Sequence, residues 1–297
     1  MNVATALNRK YLLYTGVMLT SLCENNPCHI DVYILHSELT DKDIQRLKDC
    51  LDKYDVTIYL LYIEKDKFAG RMYTDKMWSI EAYYRLMLLD VLPPNVKRMF
   101  YFDVDIIVNK SLEAFYNMNF DGNDLIACED DCGNCVPEHY GPMHRKIFGS
   151  EELHNHRYFN SGVLLMNIEQ MRHKYNYDYY MGIARDVWNY KMEAPDQDIL
   201  NYVHHNSVKY VPFEIYNLFA RIAYYCDTLK DKISIIHYAW YKPWDGKVTH
   251  YNLEKLWWDY AKLTPFYVEL AASFIDETIS DNNAEKQIRE LTQQCKR

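Results

Sequence analysis

Short apolar runs and amphipathic stretches alternate along the first part of the chain. Asn2–Leu7, Ile30–Leu35 and Val56–Ile63 are rich in aliphatic, β-branched and aromatic residues and read as strands. Tyr11–Asn25 and Asp41–Tyr54, between them, space their apolar residues as helices do. Ser79–Leu92 is predicted as a further helix, stopped by Pro93-Pro94, and Arg98–Val108 as a fourth strand, apolar except for two aspartates. Farther on, Asp124–Cys128, Tyr158–Asn167, Val208–Phe213 and Ile233–Tyr238 are strand candidates, with a helix over Ile168–Lys191 and another opening at Pro195. Leu253–Leu263 and Pro265–Ile279 look helical, and Ser280–Arg297 is polar.

This alternation implies an α/β fold: a mostly parallel sheet with helices on both faces. A division near residue 250 leaves an α/β domain over 1–250 and a C-terminal helical extension over 251–297. In such sheets ligands sit beyond the carboxyl ends of the strands, so the search for chemistry begins there.

Composition narrows the partners. Hydrophobic residues make up 49% of the 297, ample for a packed core. The net charge of −9 argues against nucleic acid, since phosphate backbones need a basic face. An acidic protein can still hold a phosphate ligand where a metal supplies positive charge locally. The first residues lack a basic, then apolar, signal-peptide pattern, and no window approaches the length of a membrane span. The expected location is therefore the cytoplasm, peripherally at the inner face of the membrane if the aromatic run Leu256–Tyr260 lies on a lipid surface; the plainer account packs that run against the domain. The eight cysteines read as reduced thiols. Cys128, Cys132 and Cys135, with His139, His154 and His156 downstream, lack the second well-spaced ligand pair of a structural zinc site.

Four segments carry the chemistry. In Tyr101–Val108, Asp103 and Asp105 flank Val104 within an apolar strand, so both carboxylates can face one side. Buried like charges need a compensating cation, and a divalent metal that also bridges two phosphates of a nucleotide sugar would serve. The plain alternative is a solvated strand end whose aspartates start a turn. In Ile235–Trp244, His237 offers a neutral ligand and Lys242 a phosphate partner. An imidazole beside two carboxylates favours Mn2+, with Mg2+ second; the alternative is a hydrogen-bonded histidine at a strand end. Phe159–Asn167 brings Asn160, which could equally be a turn amide. Pro195–Asn201 brings Asp196, Gln197 and Asp198, with Asp196 also a candidate N-cap. Dinucleotide-binding, P-loop, zincin and hydrolase-elbow motifs are missing.

In this order and spacing the four segments resemble glycosyltransferase family 8, the retaining enzymes of the bacterial lipopolysaccharide galactosyl- and glucosyltransferase type. Asn2–Tyr11 and Tyr84-Arg85-Leu86 add to the likeness, which covers residues 1 to 250. The resemblance implies a GT-A fold with a mixed, mostly parallel sheet, a UDP-hexose donor and a saccharide or lipid-linked glycan acceptor. It implies Asp103, Asp105 and His237 as metal ligands, and Arg85, Val104 and Lys242 at the donor. Tyr11 corresponds to the residue near the base; Asn8 stands where many members carry an aspartate that reads uracil. Asn160, Asp196 and Gln197 match positions lining the hexose, and Asp130 lies where the family contacts the acceptor. Retention requires either a carboxylate on the far face of the sugar, for which Asp198 is the only nearby candidate, or a same-face route, which is favoured because Gln197 is a poor nucleophile. Two other readings compete. A sugar-1-phosphate nucleotidyltransferase would carry a glycine-rich basic loop, and Ala4–Tyr11 has no glycine. A non-catalytic sugar-nucleotide-binding protein would not need the full set of Asp103, Asp105, His237 and Lys242.

Overall fold

The computed structural model describes residues 1–68, 72, 74, 79–130, 157–192, 194–220, 232–239, 242–245 and 252–280. The three parallel strands foreseen at the start form as β1 (Asn2–Ala6), β2 (Ile30–His36) and β3 (Val56–Tyr62), linked by α1 (Leu12–Asn25) and α2 (Asp41–Leu51). Thr40 and Asp43 form a reciprocal capping box that starts α2.

The segment Ile80–Met87 is a 3-10 helix rather than an α-helix, followed by the short α3 (Leu88–Val91). The Arg85 guanidinium takes the Ala82 carbonyl, which an α-turn would give to Leu86. The single strand predicted over Arg98–Val108 is broken. β4 (Met99–Phe102) pairs parallel with β1, then Asp103-Val104-Asp105 turns the chain out of that sheet into β5 (Ile106–Val108). After α4 (Glu113–Tyr116) come β6 (Leu125–Glu129) and β7 (Phe159–Met166), which run antiparallel to each other; β7 is also antiparallel to β4. The long helix predicted over Ile168–Lys191 is two, α5 (Ile168–Met171) and α6 (Tyr177–Trp188), because Asn176 caps the second with its side chain. Then follow α7 (Pro195–His204), β8 (Val208–Val211), α8 (Phe213–Tyr216), β9 (Leu218–Phe219), β10 (Ile235–His237), α9 (Asn252–Ala261) and α10 (Tyr267–Ser280).

The main sheet has the order β3-β2-β1-β4-β7-β6-β8, and a smaller one the order β5-β10-β9. Both faces of the main sheet are apolar, with a two-residue period. On one, Val3, Ile34, Phe100, Val163 and Leu165 meet α1, α2, Trp257 of α9 and Leu270 of α10. On the other, Ala4, Leu35, Tyr101 and Leu164 meet Tyr83, Tyr84, Met181, Trp188 and Ile199. The helices beyond residue 250 therefore share a core with the α/β part. Trp257 is fully buried, and Asn25 donates to the Tyr260 hydroxyl at 2.7 Å. The aromatic run of α9 thus packs inward. No described helix is long and apolar enough to cross a membrane.

Sequential strands run from β1 outward to β3, and β4 then returns to the other side of β1. This reversal opens a crevice outside the carboxyl ends of β1 and β4, where Asn8 and Asp103 lie.

Candidate active site

Pairing registers assemble the site. Asp103 N–H donates to the Gly162 carbonyl at 2.9 Å, which aligns the end of β4 with β7. His237 lies opposite Ile106, and Tyr238 N–H donates to the Asp105 carbonyl at 2.8 Å, which sets the imidazole beside Asp105. The two aspartates therefore do not share a face of one strand; they converge from a turn between two sheets. One ligand atom each from Asp103, Asp105 and His237 lies within 4.8 Å of the others. Asp105 is buried, so it is not the solvated turn residue of the plain alternative, whereas the Asp103 side chain keeps 30% of its exposure.

A chain of amides orients the imidazole. Asn160 Oδ1 accepts from Gly162 N–H and from Asn217 Nδ2, both at 2.9 Å. Asn217 must then face His237 Nδ1 with its oxygen, at 3.0 Å, so Nδ1 carries the proton and Nε2 keeps its lone pair. Nε2 faces Asp105 Oδ1 at 3.3 Å. Two lone pairs oppose each other there unless a cation, a proton or a metal, lies between them. Gly162 completes the cradle: a Cβ on it would meet His237 Cε1 at 2.5 Å, Asp103 Oδ2 at 2.6 Å and Asn160 Oδ1 at 3.1 Å. The donor set and the cleared space fit a divalent cation.

Positive side chains stand around the carboxylates. Lys242 Nζ donates to Asp105 Oδ2 and, at 3.0 Å, to the Tyr238 carbonyl. Burial acts to raise the Asp105 pKa, but the charged Lys242 ammonium overcomes it and holds the acid well below the carboxylate range. Burial acts to lower the Lys242 pKa, and Asp105 reverses it, so the ammonium stays charged. Arg85 is buried and its fork is used within the protein. It reaches Asp103 Oδ1 at 2.7 Å, Asp196 Oδ2 at 3.0 Å and the Ser161 carbonyl at 2.5 Å, above the Tyr101 ring. In this arrangement the fork holds two acidic side chains beside the candidate metal ligands.

Asn201 pins α7 to the edge of β7, exchanging hydrogen bonds with both backbone groups of Phe159. Asp196 is not the N-cap, a position taken by Ala194; it lies in the first turn, bonded to Ser161 Oγ at 2.9 Å as well as to Arg85. Burial raises its pKa against the pull of Arg85. Gln197 accepts from Ser161 N–H at 2.9 Å and Asn160 Nδ2 at 3.1 Å, and donates to Asp130 Oδ2 at 3.1 Å. Asp198 points elsewhere: fully buried, it accepts from the Tyr158 hydroxyl at 2.8 Å and Ala194 N–H at 3.0 Å.

Asn8, Tyr11 and Val104 are half-buried around the crevice. The Tyr11 phenol, its pKa raised chiefly by burial, also feels the charges of Lys242, Asp105, Asp245 and Glu81. Of the cysteine and histidine cluster, Cys128 is buried within the sheet, its thiol raised by burial; Cys132, Cys135, His139, His154 and His156 lie outside the described residues, as do Trp240 and Tyr241. The sequence reading did not single out Asn217, Ser161 or the steric role of Gly162. No local motif marks Asn217, whose value comes from tertiary contact with His237.

Known proteins share this fold. The model of the family described as Glycosyl transferase family 8 matches residues 2–247. A lipopolysaccharide 1,2-glucosyltransferase of Escherichia coli is 27% identical over 260 residues, 82% of this chain and 73% of that protein. Glycosyltransferase GlyF of Streptococcus pneumoniae is 25% identical over 301 residues, 98% of this chain and 69% of that protein. The galactosyltransferase LgtC, solved with donor and acceptor sugar analogs, shares the fold with a TM-score of 0.77 at 21% identity, covering 89% of this chain and 96% of that one. With the family model spanning the switch-point crevice and every strand that builds it, this chain belongs to glycosyltransferase family 8.

Proposed function

We propose that this enzyme moves a hexose, glucose or galactose, from a UDP-sugar to a saccharide or lipid-linked glycan acceptor, with retention of configuration and with the aid of a divalent cation. The observation that carries the proposal is the convergence of Asp103, Asp105 and His237 within 4.8 Å, beneath a glycine that leaves no room for a Cβ. A cation held there, manganese before magnesium because of the imidazole, would offset charge on the departing diphosphate. The Escherichia coli relative is named for glucose transfer to lipopolysaccharide, which supports a hexose and a glycan.

The chain's own residues divide the work. Lys242 supplies a fixed positive charge toward the diphosphate. Arg85 holds Asp103 and Asp196 in place. Asn8, Tyr11 and Val104 serve the nucleotide, Asn160, Asp196 and Gln197 the hexose, and Asp130 the acceptor side. The same-face route has the stronger support: the Gln197 oxygen is occupied by Ser161 and Asn160, and Asp198 is buried under the start of α7. In that route the anomeric carbon–oxygen bond to the diphosphate breaks as the acceptor oxygen bonds on the same face, and the acceptor proton passes to the departing diphosphate oxygen. For a lipid-linked acceptor, contact with the inner membrane face falls to α10, where Val268, Ile275 and Ile279 are exposed at 77%, 54% and 73%.

The test is hydrolysis and transfer of UDP-glucose and UDP-galactose with and without manganese, in the parent and in Asp103→Asn and Asp105→Asn. Both variants should fold and lose metal-dependent turnover by at least about a hundredfold. Normal turnover by both in manganese-supplemented buffer would reject the proposal.

A further inference from the structure

A lysine is a point charge on a long flexible stem, so its ammonium keeps one direction only if the backbone beneath it is held. At Lys242 that backbone turns through Pro243, Trp244 and Asp245, and Asp245 N–H donates to the Lys242 carbonyl at 3.2 Å. Proline suits the second position of such a turn, because its ring presets φ there. The ammonium donates to Asp105 and, at 3.0 Å, to the Tyr238 carbonyl.

Helix α9 grips this turn from outside the family match, which ends at residue 247, whereas α9 begins at Asn252. The Trp258 indole, which can only donate, gives its N–H to the carbonyl of buried Pro243 at 3.1 Å. The buried Trp244 ring meets two others. It stacks on Tyr14 of α1, with centroids 4.0 Å apart and planes at 11°, and it lies 5.0 Å from Trp257 of α9. Ahead of the turn, the Tyr238 hydroxyl donates to the Leu253 carbonyl at 2.5 Å, which ties the end of β10 to the same helix. Trp257, fully buried, packs edge-on against Trp258 at 5.0 Å.

We infer that Trp258 and Trp244 are positioning residues: together they fix the Lys242 turn so that its ammonium is aimed at the diphosphate of the donor. Without the indole N–H the Pro243 carbonyl is left buried and unpaired, a costly state that the turn escapes by shifting toward water. Lys242 shifts with it. The inference rests on the reading of Lys242 as the diphosphate's partner. It gives the C-terminal helix, more than ten residues along the chain from that lysine, a part in donor binding.

The experiment is a double-mutant cycle on UDP binding with manganese, read by calorimetry, with melting curves for each variant. Trp258→Phe keeps the ring and removes the donor, so UDP affinity should fall by about two- to tenfold, the range of one hydrogen bond. Lys242→Ala should weaken UDP by at least about tenfold, since a charged hydrogen bond is lost. In the Lys242→Ala background Trp258→Phe should change UDP affinity by less than about twofold, because the tryptophan then has no lysine to aim. Trp244→Phe, which shortens the stack on Tyr14, should show the same dependence on Lys242 and carries the test if Trp258→Phe folds poorly. An equal loss on Trp258→Phe with and without Lys242 makes its effect one of general packing and overturns the inference. A folded Trp258→Phe with parental affinity overturns it too, while the nucleotide-sugar reading stands. Parental affinity in Lys242→Ala overturns the inference together with the role of the lysine, and a parent that binds no UDP overturns the nucleotide-sugar reading as well.

Discussion

Replacing Gly162 by alanine adds one methyl group at the point where the candidate metal ligands meet. The backbone there is extended in β7, so the strain is steric rather than conformational. The new Cβ would stand 2.5 Å from His237 Cε1 and 2.6 Å from Asp103 Oδ2, whereas ordinary contact begins at 3.4 Å. Relief therefore requires shifts of 3.4 − 2.5 = 0.9 Å and 3.4 − 2.6 = 0.8 Å, shared among the three groups. The imidazole cannot yield freely, because Asn217 holds Nδ1 and the Phe219 ring stands edge-on to it, with centroids 5.0 Å apart. Asp103 is tethered by Arg85. Metal sites tolerate errors of only about 0.2 Å in ligand distance, and a displacement near 1 Å at a reacting centre costs about a hundredfold. Gly162→Ala should lower manganese affinity, read by calorimetry, and cut hexose transfer by about a hundredfold, while overpacking removes about 1–3 kcal/mol of stability. A folded variant with parental manganese affinity and turnover would refute the placement of the cation at this cluster.

Asn217→Ala should free the His237 ring and weaken manganese binding by about 10–100-fold without unfolding the protein, since such orienting partners are typically worth that much; calorimetric titration with manganese checks it, and unchanged affinity counts against the assigned tautomer. Away from the site, burial lowers the His204 pKa against the opposing pull of Asp124, and Asp124 is itself held low, despite its burial, by His204 and Lys174. The unfolded chain takes up the histidine proton near pH 6.5 and the native protein does so only at lower pH, so stability should fall as pH drops below about 6.5. A second loss follows below about pH 4, where unfolded Asp124 protonates and the native carboxylate does not. Melting temperatures from pH 7.5 to 5 should show a shallower decline in His204→Gln than in the parent; equal slopes would assign the acid sensitivity elsewhere.

Much of this architecture was legible because it depends on local rules. Short runs of aliphatic, β-branched and aromatic residues alternating with helical stretches read as a mostly parallel sheet with helices on both faces, and the two aspartates stood out within the otherwise apolar Arg98–Val108. The motif pattern pointed to the family, and the family model over residues 2–247 agrees. Boundaries were less visible where a side chain overrides spacing. Asn176 splits one predicted helix, and Arg85 draws a carbonyl out of another.

Periodicity and residue type act over a few neighbours, so the chain's own letters suffice for an α/β sheet with a pair of carboxylates in an apolar segment and an imidazole-lysine segment at a late strand. How these converge is a matter of tertiary contact. The sheet switch at Asp103–Asp105, the register that sets His237 beside Asp105, the amide relay through Asn160 and Asn217, and the pairing of Asn8 with Glu81 all join residues far apart in the chain. Hydrogen-bond direction and excluded volume act between atoms in contact, and only the folded chain brings those atoms together.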